Sequence, residues 1–318
     1  KSGGFMKKLL RYFVFAICLI FCLSACSSKA DTTKTDNVGA DSETKKNVVV
    51  TTSFLYDMVQ QIAGDTVNVD LIIPAGEDPH LYVAKPEDLK KLQTADLVLY
   101  HGLHFEGKMI EVLEKLGTPV SKEFPQDKIG KMEEDGETVI DPHFWFDISL
   151  YKMAVLETQK ALSKLNSNDA QLYEKNAEKY LAELTDLDSY VKENIQKIPE
   201  GQRYLITPHD AFNYFGKQFG LEIRATDFVT SESQISPAEI KELGEYIAEK
   251  QIKTIFQDNL ANPQAINSLQ ETVKAGGWDV TISDKELFAD SLGPTPPVDT
   301  YLGVMKYNAD TISAALAS

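Results

Sequence analysis

A long amphipathic helix divides the sequence into two similar parts and limits the folds that the chain can adopt. From Asn168 to Gln196 there is neither glycine nor proline, and apolar residues recur one, three or four positions apart while the opposite face is charged. A single apolar stripe over about eight turns is typical of a helix that lies along two neighbouring lobes. Because no residue in this stretch favours a hinge, we predict a stiff connector over residues 167–198.

Short apolar runs alternate with helical patterns on both sides of this connector. The predicted strands are residues 48–52, 67–73 and 96–100 before it and 203–207, 221–228, 254–257 and 278–282 after it. Alternation of this kind predicts parallel sheets covered by helices. The predicted class is therefore α/β, with two lobes, residues 47–166 and 199–318. Each lobe is a parallel-type sheet with flanking helices, and one long rigid helix joins them.

The beginning of the sequence predicts export from the cytoplasm. A positive segment, Lys7 to Arg11, precedes an apolar run, Tyr12 to Leu23, which is too short to span a membrane comfortably as a mature helix. The run ends in Leu23-Ser24-Ala25-Cys26, which resembles the lipobox of bacterial lipoproteins. We therefore predict that residues 1–25 are a signal peptide with upstream residues and that Cys26 carries a lipid.

The stretch after Cys26 predicts how the folded part is attached. Residues 26–46 contain almost no apolar side chain and cannot bury enough surface to offset the entropy of ordering. We interpret them as a flexible tether between the lipid and the first lobe. The predicted location is the extracellular face of the cell membrane, to which the chain is anchored by the lipid.

Composition excludes two kinds of function. The three cysteines, Cys18, Cys22 and Cys26, all lie in or directly after the predicted signal, so the folded part uses neither disulfides nor thiolate metal ligands. The formal net charge is -16. Duplex binding needs basic patches that neutralise phosphates, so this charge argues against nucleic acid as a partner.

Histidine is scarce, and three of the five histidines share one local setting. His80, His143 and His209 each follow a proline directly, and each is predicted at or near a loop that enters a helix. Proline fixes φ and restricts the residue before it, so such loops hold a ligand with little ordering cost. Three neutral imidazoles suit Zn, Mn, Fe, Cu or Ni. Because the histidines come from both lobes, we predict a metal site between the lobes.

A fourth ligand is expected to be a carboxylate, and composition alone cannot select it among so many acids. Position favours Asp290, which follows the last predicted strand of the second lobe. Ligands in open α/β sheets bind at the carboxyl ends of strands. Asp210 and Glu232 are further candidates, for residues that orient the imidazoles.

The chain resembles the TroA-like family of helical-backbone metal receptors over essentially all of residues 47–318. These proteins are manganese, zinc and iron lipoproteins of ABC importers. The motifs that carry the resemblance are the lipobox, Pro79-His80, Ala95-Asp96-Leu97-Val98, Gly102-Leu103-His104-Phe105-Glu106, Asp141-Pro142-His143-Phe144-Trp145, His209-Asp210-Ala211-Phe212, Phe288-Ala289-Asp290-Ser291-Leu292-Gly293 and Tyr307-Asn308.

The resemblance implies a ligand set and a partner. The family's metal ligands match His80, His143, His209 and Asp290, and the cargo is one Mn²⁺ or Zn²⁺ ion. The expected partner is the membrane permease of an ABC transporter, and the expected state is a monomer. His101 and His104 lie beside a matching motif but not at ligand positions, so we predict structural roles for them.

One departure from the family bears on the identity of the metal. Many zinc-dedicated members carry a long loop rich in histidine and acids before the second ligand histidine, whereas residues 130–140 here are short and contain no histidine. Sets of three histidines and one aspartate occur among both manganese and zinc receptors. The metal stays open between the two, and we favour manganese as the cargo.

Three other functions are alternatives to metal transport. A zinc-dependent hydrolase would need an open coordination position and a general base, and the sequence has neither a His-Glu-x-x-His helix nor a Gly-x-Ser-x-Gly elbow. A surface adhesin could use the same scaffold, but no patch identifies one. A siderophore or cobalamin receptor would favour an aromatic or basic cleft over converging histidines.

Overall fold

A four-stranded parallel sheet forms the part of the chain before the long helix. The computed structural model describes residues 44–134, 137–226 and 236–317. The strands are β1 (Lys46–Val50), β2 (Val67–Leu71), β3 (Leu97–Tyr100) and β4 (Thr118–Pro119), in the order β2-β1-β3-β4. β1 pairs in parallel with both β2 and β3, and β3 pairs in parallel with β4. The predicted signal, Cys26 and nearly all of the predicted tether lie outside the described residues.

Three helices cover this sheet, and the first two begin where the sequence supplies a start. They are α1 (Ser53–Ala63), α2 (Pro86–Thr94) and α3 (Ile110–Leu116). The side chain of Thr52 caps α1, and Pro86 occupies the first turn of α2, where the missing N–H costs nothing. The valines of β1 are buried, as expected for a strand covered on both faces.

A β-hairpin that the sequence did not predict leads into the second metal-ligand motif. Its strands are β5 (Lys131–Glu134) and β6 (Glu137–Ile140), which pair antiparallel. Its described side chains are mostly exposed, so it lacks the apolar alternation by which strands are recognised. The hairpin is followed within three residues by His143 and a short turn of 3₁₀ helix, Phe144–Phe146.

The long helix is continuous, as predicted. After α4 (Ile148–Leu165), a 3₁₀ turn at Ser167–Asp169 leads into α5 (Ala170–Gln196), a helix of 27 residues. Its buried stripe, from Tyr173 to Ile195, packs against α1, α4 and the last helix of the chain, Tyr301–Leu316. Among the described residues, no helix combines the length and the apolar character needed to cross a membrane.

Two pairs of parallel strands form the sheet region after the long helix. β7 (Tyr204–Thr207) pairs with β8 (Glu222–Ala225), and β9 (Thr254–Ile255) pairs with β10 (Thr281–Ile282). The N–H of Phe256 donates to the carbonyl of Ile206 at 2.9 Å and so connects the two pairs. The helices here are α6 (Asn213–Phe219), α7 (Pro237–Glu249), α8 (Pro263–Ala275) and α9 (Tyr301–Leu316).

The predicted α/β class with parallel sheets and one long helix is confirmed. Several predicted strands are shorter in the structure. Residues 257 and 278–280, for example, lie outside β9 and β10. One apolar core extends from Val48 in β1 to Leu316 in α9 and includes the buried stripe of α5. The boundaries proposed for the two lobes stay predictions.

Candidate metal centre

Four side chains from separate loops meet at one buried point. His80, His143, His209 and Asp290 offer ligand atoms that all lie within 4.8 Å of one another. Each of these residues is at most 4% exposed. Two come from before the long helix and two from after it, so no local segment could form the group alone. These are the four residues that the sequence analysis proposed as ligands.

The first two histidines are presented by the same type of turn. An aspartate stands two residues before each, with a proline between them. The backbone N–H of His80 donates to Asp78 Oδ1 at 2.8 Å, and that of His143 donates to Asp141 Oδ1 at 3.0 Å. This contact is an Asx turn, and the proline at its centre has a fixed φ. The turn therefore limits the positions that each imidazole can take.

His209 follows β7 directly and is held by a hydroxyl in place of a carboxylate. The hydroxyl of Thr207 donates to the carbonyl of His209 at 2.9 Å. Thr207 is fully buried at the end of the strand, next to Pro208. His209 therefore lies where ligands of parallel sheets are expected, at the carboxyl end of a strand.

The segment that carries Asp290 is fixed by side chains from distant elements. Asn308 in α9 accepts the N–H of Phe288 at 3.0 Å and donates to the carbonyl of Phe288 at 2.8 Å. The indole N–H of Trp145 donates to the carbonyl of Ala289 at 2.9 Å. These bonds hold both residues before Asp290 and so fix the position from which its carboxylate reaches the other donors.

The separations between donor atoms match those around a small metal ion. The Nε2 atom of His143 lies 3.3 Å from Nε2 of His80 and 3.2 Å from Nε2 of His209. Asp290 Oδ2 lies 3.2 Å from Nε2 of His80 and 2.9 Å from Nε2 of His209. Donors bound tetrahedrally at roughly 2.0–2.1 Å are separated by about 3.3 Å. The four residues therefore fit one ion at their centre.

The second carboxylate oxygen of Asp290 is available to such an ion. Asp290 Oδ1 is buried without a hydrogen-bond partner among the described residues and lies 3.7 Å from Nε2 of His143. A buried acceptor of this kind is costly unless something compensates it. Binding through Oδ2 alone would give four donors, and binding through both oxygens would give five.

Asp141 sets the tautomer of His143. Its Oδ1 lies 2.7 Å from Nδ1 of His143, and both side chains are fully buried. An ionised carboxylate can only accept, so the imidazole proton lies on Nδ1 and the lone pair of Nε2 points to the centre. A carboxylate behind a metal-binding imidazole has this effect in many metal sites.

The carboxylate of Asp290 has the largest influence on the protonation of the other donors. Burial lowers the pKa of His209, but Asp290, together with the nearby acids Asp258 and Asp78, outweighs burial and raises this pKa to about 10. Burial raises the pKa of Asp290, but His209 and His143 outweigh it and hold this pKa well below its usual range. Burial lowers the pKa of His80, which Asp290 only partly opposes. Without metal, His209 and Asp290 therefore form a buried ion pair.

Metal binding at pH 7–8 is expected to release about one proton per ion, because His209 must lose its proton to become a ligand. With a pKa of about 10 in the metal-free protein, His209 is protonated throughout this range. The apparent affinity should then rise by about tenfold per pH unit between pH 7 and pH 8. Calorimetric titration in buffers of different ionisation enthalpy measures the proton count. An enthalpy that is independent of the buffer would contradict this ion pair.

The structure also shows where the remaining histidines and the candidate orienting acids lie. His101 Nε2 lies 2.7 Å from the Thr52 hydroxyl, away from the four donors, and His104 is exposed. Asp210 accepts a hydrogen bond from Asn213 at 3.0 Å. Glu232 lies outside the described residues. The sequence analysis missed the role of Asp141, although the repeated Asp-Pro-His pattern was a signal for it.

The comparisons with known proteins place the chain in a family. The profile of ZnuA, described as zinc-uptake complex component A, periplasmic, matches residues 48–315. The chain belongs to the ZnuA family. Manganese-binding lipoprotein MntA of Bacillus subtilis (strain 168) is 38% identical over 288 residues, which cover 89% of this chain and 93% of MntA. Zinc-binding protein TroA of Treponema pallidum (strain Nichols) is 35% identical over 284 residues, which cover 87% of this chain and 91% of TroA.

A solved structure agrees with this assignment to the ZnuA family. A TroA structure from work on the metal-binding specificity of TroA matches with a TM-score of 0.84 and 49% sequence identity. The match covers 86% of this chain and 100% of that chain. The fold predicted by the resemblance to TroA-like receptors is therefore confirmed, and the family profile over residues 48–315 includes both sheet regions and the long helix.

Proposed function

We propose that this member of the ZnuA family is a solute-binding lipoprotein that captures one divalent transition-metal ion, Mn²⁺ or Zn²⁺. His80, His143, His209 and Asp290 bind the ion, and the loaded protein delivers it to the membrane permease of an ABC importer. The observation that carries the proposal is the buried group of three imidazoles and one carboxylate, with nitrogen atoms 3.2 and 3.3 Å apart.

The four donors are better suited to binding the ion as cargo than to using it in catalysis. Catalytic zinc keeps an open position for water, whereas four protein ligands fill a tetrahedral ion. The four residues are nearly inaccessible to solvent, so a substrate could not reach the ion in this conformation. Cargo binding therefore agrees better with the geometry than hydrolysis does.

The relatives support a lipid anchor and leave the choice of metal open. MntA of Bacillus subtilis is named as a manganese-binding lipoprotein, and TroA of Treponema pallidum is named as zinc-binding. A lipid on Cys26 would place the protein at the extracellular face of the membrane, as a monomer beside its permease. The proposed cargo is therefore Mn²⁺ or Zn²⁺.

Uptake of metal by cells tests the proposed function. A host strain that lacks the gene is complemented with the wild type, with Asp290→Asn or with Asp57→Asn, and accumulation of radioactive manganese and zinc is measured at limiting concentrations. Asp57 is a buried acid in α1 that is not one of the four donors and accepts hydrogen bonds from Gln61 and Tyr301, so it is the matched control. We expect the wild type and Asp57→Asn to restore uptake and Asp290→Asn to leave it at the level of the deletion strain. Equal uptake with Asp290→Asn at equal protein level would refute the proposal.

A further inference from the structure

A strained turn lies beside the metal centre without contributing a ligand. Gly102, Leu103 and His104 have φ values of 81°, 55° and 64°. Glycine adopts such angles freely, but leucine and histidine rarely do, and two of them in succession persist only where the surroundings determine the backbone. Strain of this kind concentrates at functional sites. The turn follows β3 directly, at the same end of the sheet as the ligand loops.

A buried carboxylate holds the entry to this turn. Glu106 Oε1 accepts the backbone N–H of His101 at 2.6 Å and the hydroxyl of Thr51 at 2.8 Å, and Oε2 accepts the N–H of Gly102 at 3.3 Å. On the other side, the hydroxyl of Ser121 donates to the carbonyl of His101 at 2.7 Å. Glu106 is fully buried. The backbone of the turn is therefore fixed through both its N–H and its C=O groups.

The residues that follow the turn in the sequence contact His80, the first of the four candidate ligands. The ring of Phe105 meets the edge of the His80 imidazole, with 4.8 Å between ring centroids, and lies 6.2 Å from that of His143. Gly107 lies so close to the carbonyl oxygen of His80 that a Cβ at this position would collide with it. The turn therefore limits the position of both the side chain and the backbone of His80.

We infer that Glu106 is a positioning residue for the metal centre. It holds the left-handed turn, and the turn keeps Phe105 and Gly107 against His80, so that His80 Nε2 stays at coordinating distance from the other donors. This inference rests on the proposed metal binding. A glutamine at this position would present an NH₂ donor to backbone N–H groups that need acceptors, and the turn would relax.

The direct test compares Glu106→Gln with Glu157→Gln. Glu157 is a buried carboxylate of the same part of the chain, and it forms ion pairs with Lys122 and Lys160 instead of hydrogen bonds to the turn. Each purified variant is titrated with Co²⁺ and Zn²⁺ against a chelator, and its metal-free melting temperature is recorded. We expect Glu106→Gln to lose about 10–100-fold in affinity and to change the visible spectrum of bound Co²⁺. Glu157→Gln should keep wild-type affinity and spectrum, even if its melting temperature falls equally.

A second pair of variants covers the case in which Glu106→Gln does not fold. Thr51→Val removes one hydrogen bond to Glu106 and keeps the shape of the side chain. Thr158→Val is its control, because Thr158 is fully buried and its hydroxyl donates to Met58 Sδ. Thr51→Val should weaken binding in the same direction by a smaller factor, and Thr158→Val should not. If the folded turn variants bind with wild-type affinity and spectrum, the inference is wrong. A wild type that binds no metal would instead refute the proposed function.

Discussion

Zinc at a thousandfold excess over its dissociation constant is expected to raise the free energy of unfolding by about 4 kcal/mol, and Asp290→Asn is expected to remove most of this gain. An ion that binds only the folded state stabilises it by mass action. In a chain of this size, about 4 kcal/mol corresponds to a rise in melting temperature of roughly 8–16 °C. The effect depends on four donors that meet only in the folded chain.

Asp290 is the informative position because its carboxylate lies within 3.2 Å of His80 Nε2 and 2.9 Å of His209 Nε2. Asparagine keeps the volume of the side chain but removes the negative charge that an ion would bind. Differential scanning calorimetry with and without zinc measures the shift, and Asp57→Asn serves as the control because it should keep the full shift. If neither zinc nor manganese raises the melting temperature of the wild type, the proposed metal binding is contradicted.

The second large effect is selectivity. We expect Zn²⁺ to bind more tightly than Mn²⁺ in purified protein by more than roughly tenfold, or about 1.4 kcal/mol, whichever metal the cell imports. Affinity for sites with nitrogen and oxygen donors generally increases from Mn²⁺ toward Zn²⁺, and imidazole suits zinc whereas manganese favours more oxygen donors. The donor spacing of 3.2 and 3.3 Å fits a small tetrahedral ion.

The unpartnered oxygen of Asp290 is the feature that could oppose this preference. Binding through both Oδ1 and Oδ2 would add a fifth donor and favour Mn²⁺. Equilibrium competition with buffered free metal decides between these effects. If Mn²⁺ displaces Zn²⁺ at equal free concentration, the geometry of the site overrides the ranking by donor type. If Zn²⁺ wins, the choice made in the cell depends on metal availability and on release to the permease.

Local patterns in the sequence were sufficient for the class of fold and for the three candidate histidines, whereas the full set of four ligands followed from the resemblance to TroA-like receptors. Proline directly before His80, His143 and His209 marked stiff loops, and the glycine-free and proline-free stretch from Asn168 marked the long helix. These features depend on backbone restrictions that act within a few residues. The local sequence provided weaker evidence that Asp290 is a ligand, because its loop is held by Asn308 and Trp145, which are distant in the sequence.

Features that depend on distant contacts escaped the sequence analysis. The helix α3 begins only at Ile110, because the preceding residues form a left-handed turn and a 3₁₀ turn, Gly107–Met109. Apolar periodicity does not reveal a positive φ at leucine or histidine. The buried bonds of Glu106 to Thr51, 55 positions earlier, are visible only in the folded chain. The hairpin before His143 was missed because its exposed strands lack alternation.

X-ray diffraction from crystals of the zinc-loaded protein, recorded on both sides of the zinc absorption edge, tests the central claim most directly. We predict one anomalous peak per chain, with Nε2 of His80, His143 and His209 and an oxygen of Asp290 each at about 2.0–2.2 Å from it. The pairs of donors that are 3.2 and 3.3 Å apart should keep nearly these separations around the ion. A peak elsewhere in the chain, or one that lacks any of these four ligands, would contradict the proposed metal centre.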